Sequence, residues 1–206
     1  MTARQRTIAL IVALAALPLA ACTTARPAGP IEVTRFIAPD SRAQLGDTTL
    51  RVETAPGSSE QGLAMLPYTE AVARALNTFG YVENARPAAR QIASVSVERE
   101  QLTEGGRRSP VSVGGGGSAG SYGSRVGLGV GINLGGGADE RVITRLSVSL
   151  RDVTSGTVLW EGRARLDAPA GSPLAQNDAA AAALAEALFQ GFPGNSGETI
   201  EVEVNP

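Results

Sequence analysis

The amino-acid sequence predicts an α+β domain: a mainly antiparallel sheet covered by two helices and extended by a glycine-rich hairpin. Segments with an apolar residue at every second position alternate with two segments whose apolar residues recur every three or four positions. The 206 residues suffice for one core of ordinary size. Hydrophobic residues make up 43% and charged residues 18%, which is typical of a globular protein.

The first half of the chain gives two strands, a helix and a further strand. Residues 31–37 and 49–53 alternate as strands and are separated by a turn-rich segment. Residues 68–79 have helical spacing, and Gly80 follows where a glycine commonly ends a helix. Residues 91–99 alternate again, which predicts an inner strand.

The second half gives a hairpin, a helix and a last strand. Residues 141–154 and 157–166 alternate on either side of a Ser-Gly turn and form the clearest antiparallel hairpin in the chain. Residues 177–178 can cap an alanine-rich helix that ends at Pro193. Residues 197–205 alternate as a strand with an acidic outer face.

The glycine-rich segment "SRVGLGVGINLGGG", residues 124–137, is predicted to be a strand of a long hairpin. A phosphate-binding loop would have to follow a strand and open a helix, whereas the next segment here is a strand. The aliphatic residues alternate on one face: Val126, Leu128, Val130, Ile132 and Leu134. That face can pack in the core, present an uncharged edge strand to a partner, or enter the bilayer as part of an oligomer. We treat these five residues as the candidate interaction strand.

The N-terminus carries an export signal. Two arginines precede a fourteen-residue apolar run that is too short to span a bilayer and has the length of a secretory signal core. The run ends in "LAAC", residues 19–22, which resembles the lipobox of bacterial lipoproteins. The resemblance implies that residues 1–21 are removed, that the Cys22 sulfur carries diacylglycerol, and that the freed amine is acylated, for example with palmitate. An ordinary signal peptide followed by a chance cysteine is the alternative.

Residues 22–30 are then a lipidated tether, and residues 31–206 are a single domain held at a membrane. Two or three acyl chains attach a protein to a bilayer essentially without exchange. Thr23 follows the cysteine, and lipoproteins without Asp there resemble those sorted to the outer membrane. We therefore expect the domain at the outer membrane of a Gram-negative envelope, facing the periplasm.

The composition argues against several classes of function. The formal net charge is −2, and all 18 basic residues are arginine, so the chain has no broad cationic surface for nucleic acid. It has no histidine, and its single cysteine is the predicted lipid site, so we expect no catalytic residues, metal ligands or cofactor. Glu98 and Glu100 share a strand face but are expected to be solvated. The chain is therefore predicted not to be an enzyme.

Several segments together resemble the bacterial lipoproteins that contain domain of unknown function 4136. They are "VTRF" at residues 33–36, "YTEAVARALNTFGY" at 68–81, "GVGINLGGG" within the glycine-rich segment, "TVLWEGRA" at 157–164 and "ALFQGFPGNSGETIEV" at 187–202. The resemblance implies an α+β envelope domain with no established activity and no known catalytic residues.

Two functions fit these observations. The first is a lipid-anchored module that binds an envelope protein partner, in assembly or as an accessory to transport. The second is a periplasmic carrier of a small apolar ligand or lipid, with a pocket between the Leu184 helix and the sheet. A fold predicted from sequence pattern does not decide between the two.

Overall fold

The computed structural model describes residues 27–84, 89–103 and 140–204. Within these ranges the chain forms a seven-stranded sheet with two α-helices packed on one face. The elements, in chain order, are β1 (Ile31–Ile37), β2 (Thr49–Thr54), α1 (Leu66–Asn77), β3 (Val82–Glu83), β4 (Gln91–Thr103), β5 (Glu140–Asp152), β6 (Val158–Pro169), α2 (Asn177–Phe189) and β7 (Thr199–Val202).

The sheet is mixed, whereas the sequence pattern predicts a mainly antiparallel one. Its strand order is β3-β2-β4-β5-β6-β1-β7. Antiparallel ladders join β4 to β5, β5 to β6, β6 to β1 and β1 to β7. The strand β2, however, runs parallel to both of its neighbours, β3 and β4. The reason is α1, which follows β2 and returns the chain to the end of the sheet where β2 starts.

The two faces of the sheet differ sharply because side chains alternate along each strand. Paired neighbours on β4, β5, β6 and β1 are Val97, Leu146, Ala164 and Val33, and all four are buried under the helices. The next row along the same strands is Glu98, Arg145, Arg165 and Glu32, which lies on the opposite face. The hydrophobic core therefore lies between the sheet and the two helices.

The predicted antiparallel hairpin of residues 141–154 and 157–166 is confirmed. β5 and β6 pair from Arg141 with Pro169 to Arg151 with Val158, with an irregularity next to Leu150. β6 continues to Pro169, three residues beyond the predicted strand. The two-residue strand β3 at the sheet edge has no counterpart in the sequence prediction.

Both predicted helices are present, with two corrections, both in the second. α2 ends at Phe189, four residues before the predicted end at Pro193, because Gln190 leaves the helical conformation. α1 has Pro67 in its first turn and is followed by Gly80 at φ +83°, as predicted. α2 begins at Asn177, but Gln176 is its N-cap and no side chain caps the helix start. The predicted cap by residues 177–178 is therefore wrong, because the Asn177 side chain instead accepts a hydrogen bond from the Tyr68 hydroxyl at 3.4 Å.

Both helices start at the same end of the sheet. At this end the Gly29 N–H donates to the Asp167 carbonyl at 3.1 Å, just before β1 begins. Arg99 on β4 reaches both helix starts, donating to the Tyr68 hydroxyl at 3.4 Å and to the Ala175 carbonyl at 2.6 Å. We call this the tether end, because the predicted tether joins the domain here.

Candidate functional site

A groove of about 890 Å³ lies between α1, α2 and the strand β7. Most of its lining side chains are apolar, and alanine is the commonest among them. The lining includes Ala71, Ala75 and Phe79 of α1, Ala182 and Ala183 of α2, and Val202 of β7. The groove is open to solvent and is not a closed cavity.

The wall of the groove that α2 provides contains the alanines that lie between two charged residues on the outward side of the helix. Leu184 and Leu188 point inward and are fully buried. A helix that faces water normally carries charged residues on its outer face. The exposed positions of α2 are Asp178, Ala182 and Glu186, and the half-buried Ala183 lies next to Ala182. After the first turn, Glu186 is the one charged residue of the helix. The alanines between Asp178 and Glu186 are therefore the part of the outer face suited to contact with another apolar surface.

The other two walls come from α1 and β7. Phe79 lines the groove, and its ring centroid lies 5.1 Å from that of Phe192. The Phe192 ring in turn contacts the buried ring of Trp160. Val202 lies opposite Ile31 in the antiparallel pair of β7 and β1. β7 is at the edge of the sheet, so in the described part of the chain its outer side has no paired strand.

The polar side chains at the groove form its rim. They are Arg74, Thr78, Glu186, Gln190 and Glu203. Arg74 is paired with Glu70 on the same helix at 3.7 Å, and both side chains are mostly exposed. Among the described residues, no group of three or more Asp, Glu or Cys side chains is arranged to hold a metal ion. What the groove provides is apolar contact area with a polar border.

The opposite face of the sheet carries charged and hydroxyl side chains. A depression of about 490 Å³ on this face contains Arg145, Arg163 and Arg165. The arginines are balanced by acids: Arg145 lies 3.5 Å from Glu100, and Arg165 lies 3.6 Å from Glu32. Exposed pairs of this kind contribute little to stability. The face is therefore a balanced mixture of charges and does not select for one sign.

Segments that carry the family resemblance meet at the C-terminal end of α2. Arg35 is buried there, and its guanidinium donates to the carbonyls of Leu188 at 2.9 Å and Ala187 at 3.0 Å. These carbonyls belong to the last turn of the helix, where a cation is favourable. The Trp160 indole N–H donates to the Pro193 carbonyl at 3.0 Å. The motifs thus fix the end of α2 and the loop that follows it.

Two glycines leave room for these side chains. A Cβ atom on Gly162 would lie 2.8 Å from both Leu188 Cδ1 and Trp160 Cζ2. A Cβ atom on Gly194, which has φ +78°, would lie 2.8 Å from Arg35 Cδ. Burial lowers the pKa of the Arg35 guanidinium, and the nearby Glu198 carboxylate opposes that effect. Arg35, Trp160, Gly162 and Gly194 are not in the lining of the groove; they fix the end of α2, which forms one of its walls.

The site residues predicted from sequence lie outside the described ranges. This holds for Cys22 and for the candidate interaction strand, residues 126–134. Both remain predictions, as does the glycine-rich hairpin itself. No helix in the ranges that the structure describes is long and apolar enough to cross a membrane.

The groove itself was not predicted at its observed place. The sequence prediction put an apolar pocket between the Leu184 helix and the sheet, but Leu184 is fully buried in the core there. The observed groove lies on the outer side of the same helix. The signal was present in the alanine run of residues 179–183, because alanines on every side leave the outward positions apolar too.

Comparison with known proteins gives distant likenesses. No protein-family model matches the chain, so the resemblance to the domain of unknown function 4136 proteins is not confirmed. An uncharacterized protein of Zymomonas mobilis is 36% identical over 80 residues, which are 38% of this chain. The matched part spans 30% of that relative's length.

Solved structures with a related arrangement are also distant. A single-substitution form of the PelC dodecamer from Paraburkholderia phytofirmans has a TM-score of 0.46 at 17% identity, covering 77% of this chain and 94% of that one. A PDZ domain protein from Parabacteroides distasonis has a TM-score of 0.49 at 13% identity, covering 84% and 38%. A candidate lipoprotein from Caulobacter crescentus has a TM-score of 0.34 at 17% identity, covering 72% and 89%. All three TM-scores are below 0.5, so no function follows from them.

Proposed function

We propose that this protein is a non-enzymatic, lipid-anchored module of the bacterial envelope that binds an apolar segment of a partner protein in the groove between α1, α2 and β7. The anchor is the lipid on Cys22, and the membrane is the outer membrane, with the domain in the periplasm. The role is assembly, or an accessory role in transport.

One observation carries the proposal: between the charged Asp178 and Glu186, the outward side of α2 presents alanines to the groove. Ala182 is exposed and Ala183 is half-buried, and both border the groove. An amphipathic helix laid into such a groove would bury its own apolar side chains against these alanines. Small side chains allow a close approach, so that Phe79 and Val202 on the other walls also come within contact distance of the occupant.

The openness of the groove favours a protein segment over a small ligand. Sites for small molecules usually enclose about 70–90% or more of the ligand surface. This groove is instead partly open to solvent. A helix of a partner protein needs only one apolar face covered, because its other face can remain in water. The unpaired edge of β7 next to the groove gives a partner a second, backbone-mediated contact.

Photo-crosslinking in intact cells tests the proposal. A benzophenone amino acid replaces Ala182 in one variant and the exposed Arg163, on the opposite face of the sheet, in the control. We expect irradiation to give a protein adduct from the Ala182 position and none from the Arg163 position. An Ala182 position that gives no adduct, or the same adducts as Arg163, would contradict docking in the groove.

A carrier of an apolar ligand is the second candidate function. The volume of about 890 Å³ favours it, because ligand sites of roughly 300–1,000 Å³ are common. The test is mass spectrometry of solvent extracts from the purified protein and from the groove-filling variant Ala183→Trp. A carrier would release an acyl compound that is depleted in the variant. Protein docking predicts that neither sample releases one, since the lipid on Cys22 is covalently attached and stays with the protein.

A further inference from the structure

The position of the tether end restricts how far the domain can lie from the bilayer. The described chain begins at Pro27, and the Gly29 N–H is already bonded to Asp167 at the end of β6. Five residue spacings separate Cys22 from Pro27, and an extended chain covers at most about 3.6 Å per residue. The lipid on Cys22 would therefore lie within about 18 Å of the tether end.

Two exposed leucines lie at this same end. Leu63 is 83% exposed and Leu66 is 49% exposed, and they lie just before and at the start of α1. The start of α1 is fixed at the tether end through Tyr68, whose hydroxyl accepts a hydrogen bond from Arg99. Glu98 on β4 belongs to the same row across the sheet as Glu32 on β1. Arg99 comes directly after Glu98 and lies one residue nearer the tether end.

Leu63 and Leu66 do not take part in the hydrophobic core of the domain. Next to them, Met65 is almost completely buried and contacts the Ser58 hydroxyl through its sulfur at 3.5 Å. The local backbone is thus held by Met65, while the leucines on either side point away from the core. Single exposed apolar residues are common on protein surfaces. What distinguishes this pair is its place on the surface that a short tether holds against lipid.

We infer that Leu63 and Leu66 insert into the surface of the bilayer that holds the lipid anchor, so that the domain stands on the membrane in one orientation. This inference rests on the proposed attachment at Cys22. In that orientation α1 and α2 start at the membrane and run away from it. The groove between them then extends from the lipid surface into the aqueous space, where a partner can reach it.

Fluorescence quenching by brominated lipids tests the contact. The full lipidated protein, carrying Leu63→Trp, is reconstituted into vesicles of phosphatidylethanolamine and phosphatidylglycerol with and without brominated acyl chains. The native Trp160 is fully buried and serves as a constant background. The matched control is Val82→Trp, because Val82 is 59% exposed on β3, next to the residues that start β2 at the opposite end of the sheet.

We expect brominated lipid to quench the added emission of Leu63→Trp at least twofold more than that of Val82→Trp. Leu66→Trp provides a second probe if the first variant folds poorly. Equal quenching at the two ends would overturn the inference. A blue-shifted Leu63→Trp emission without quenching would also overturn it, since it would indicate a protein contact such as a second copy of the chain.

The failure of the anchor can be told apart from the failure of the contact. If the wild-type protein does not float with vesicles, the proposed lipid attachment is wrong, and the inference falls with it. If the protein floats but the two probes are quenched equally, the anchor stands and only the contact of Leu63 and Leu66 with lipid is refuted.

Discussion

Replacing Gly162 by alanine should destabilise the protein measurably, because the added methyl group has no space. The Cβ atom would lie 2.8 Å from Leu188 Cδ1 and closer still to the ring of Trp160. Neither neighbour is free to move, since both side chains are fully buried and the Trp160 ring packs on Phe189 at 5.4 Å between centroids. Overfilling a well-packed core costs about 1–3 kcal/mol.

The control for this variant is Gly171→Ala, because no atom lies within 4 Å of a Cβ built there. Both substitutions reduce the freedom of the unfolded chain in the same way, so their difference isolates the overpacking. A domain of this size loses about 2–4 °C in Tm per kcal/mol, which predicts a Tm roughly 2–12 °C lower for Gly162→Ala. The assay is thermal unfolding followed by the emission of Trp160, the single tryptophan. Equal Tm values and equal emission spectra for the two variants would refute the reasoning.

Three further predictions concern the core, the pH dependence and the anchor. Arg35→Met keeps the apolar stem but removes two charge-assisted hydrogen bonds to the end of α2. Urea unfolding should therefore show a free energy of unfolding about 2–4 kcal/mol lower than that of the wild type. An unchanged midpoint would argue against the capping of α2 by Arg35. Burial raises the pKa of Tyr68 and Tyr81 above their ordinary value of 10.0. Their contribution to stability is fully present below pH 10 and is lost as the pH rises through the raised pKa values. The free energy of unfolding of Tyr81→Phe should therefore fall less steeply above pH 10 than that of the wild type. An identical fall in the two proteins would contradict this. Cys22→Ser should leave the protein in the soluble fraction or as an uncleaved precursor, and persistent labelling with a palmitate analogue would count against the anchor.

The sequence predicts the parts of the fold that depend on local patterns. The β5–β6 hairpin is recognisable because its strands are neighbours in the chain and alternate over a dozen residues. The parallel direction of β2 is not recognisable in this way. Alternation is the same in parallel and antiparallel strands, and the direction is set by where α1 returns the chain.

The candidate site depends on contacts that are distant in sequence. Val202 lines the groove because β7 pairs with Ile31, more than 160 residues earlier in the chain. Arg35 shows the same limit in another form. It shares the inward face of β1 with Val33, so its burial follows from the alternation. A charge is tolerated at this buried position because the Arg35 guanidinium donates hydrogen bonds to carbonyls at the end of α2. The pattern of β1 gives no information about those carbonyls.

The predicted lipid site and interaction strand depend on a different kind of information. Cys22 was identified from a processing signal, and residues 126–134 from strand alternation among glycines. Neither lies in the described ranges, so both are tested by chemistry on the protein and not by the contacts of the fold.

The most direct test of the account is mass spectrometry of the N-terminal peptide from protein extracted from cell membranes. The account predicts a mature chain that begins at Cys22, with diacylglycerol on the sulfur and an acyl group on the amine. A chain that begins elsewhere, or a Cys22 with a free thiol, would contradict it.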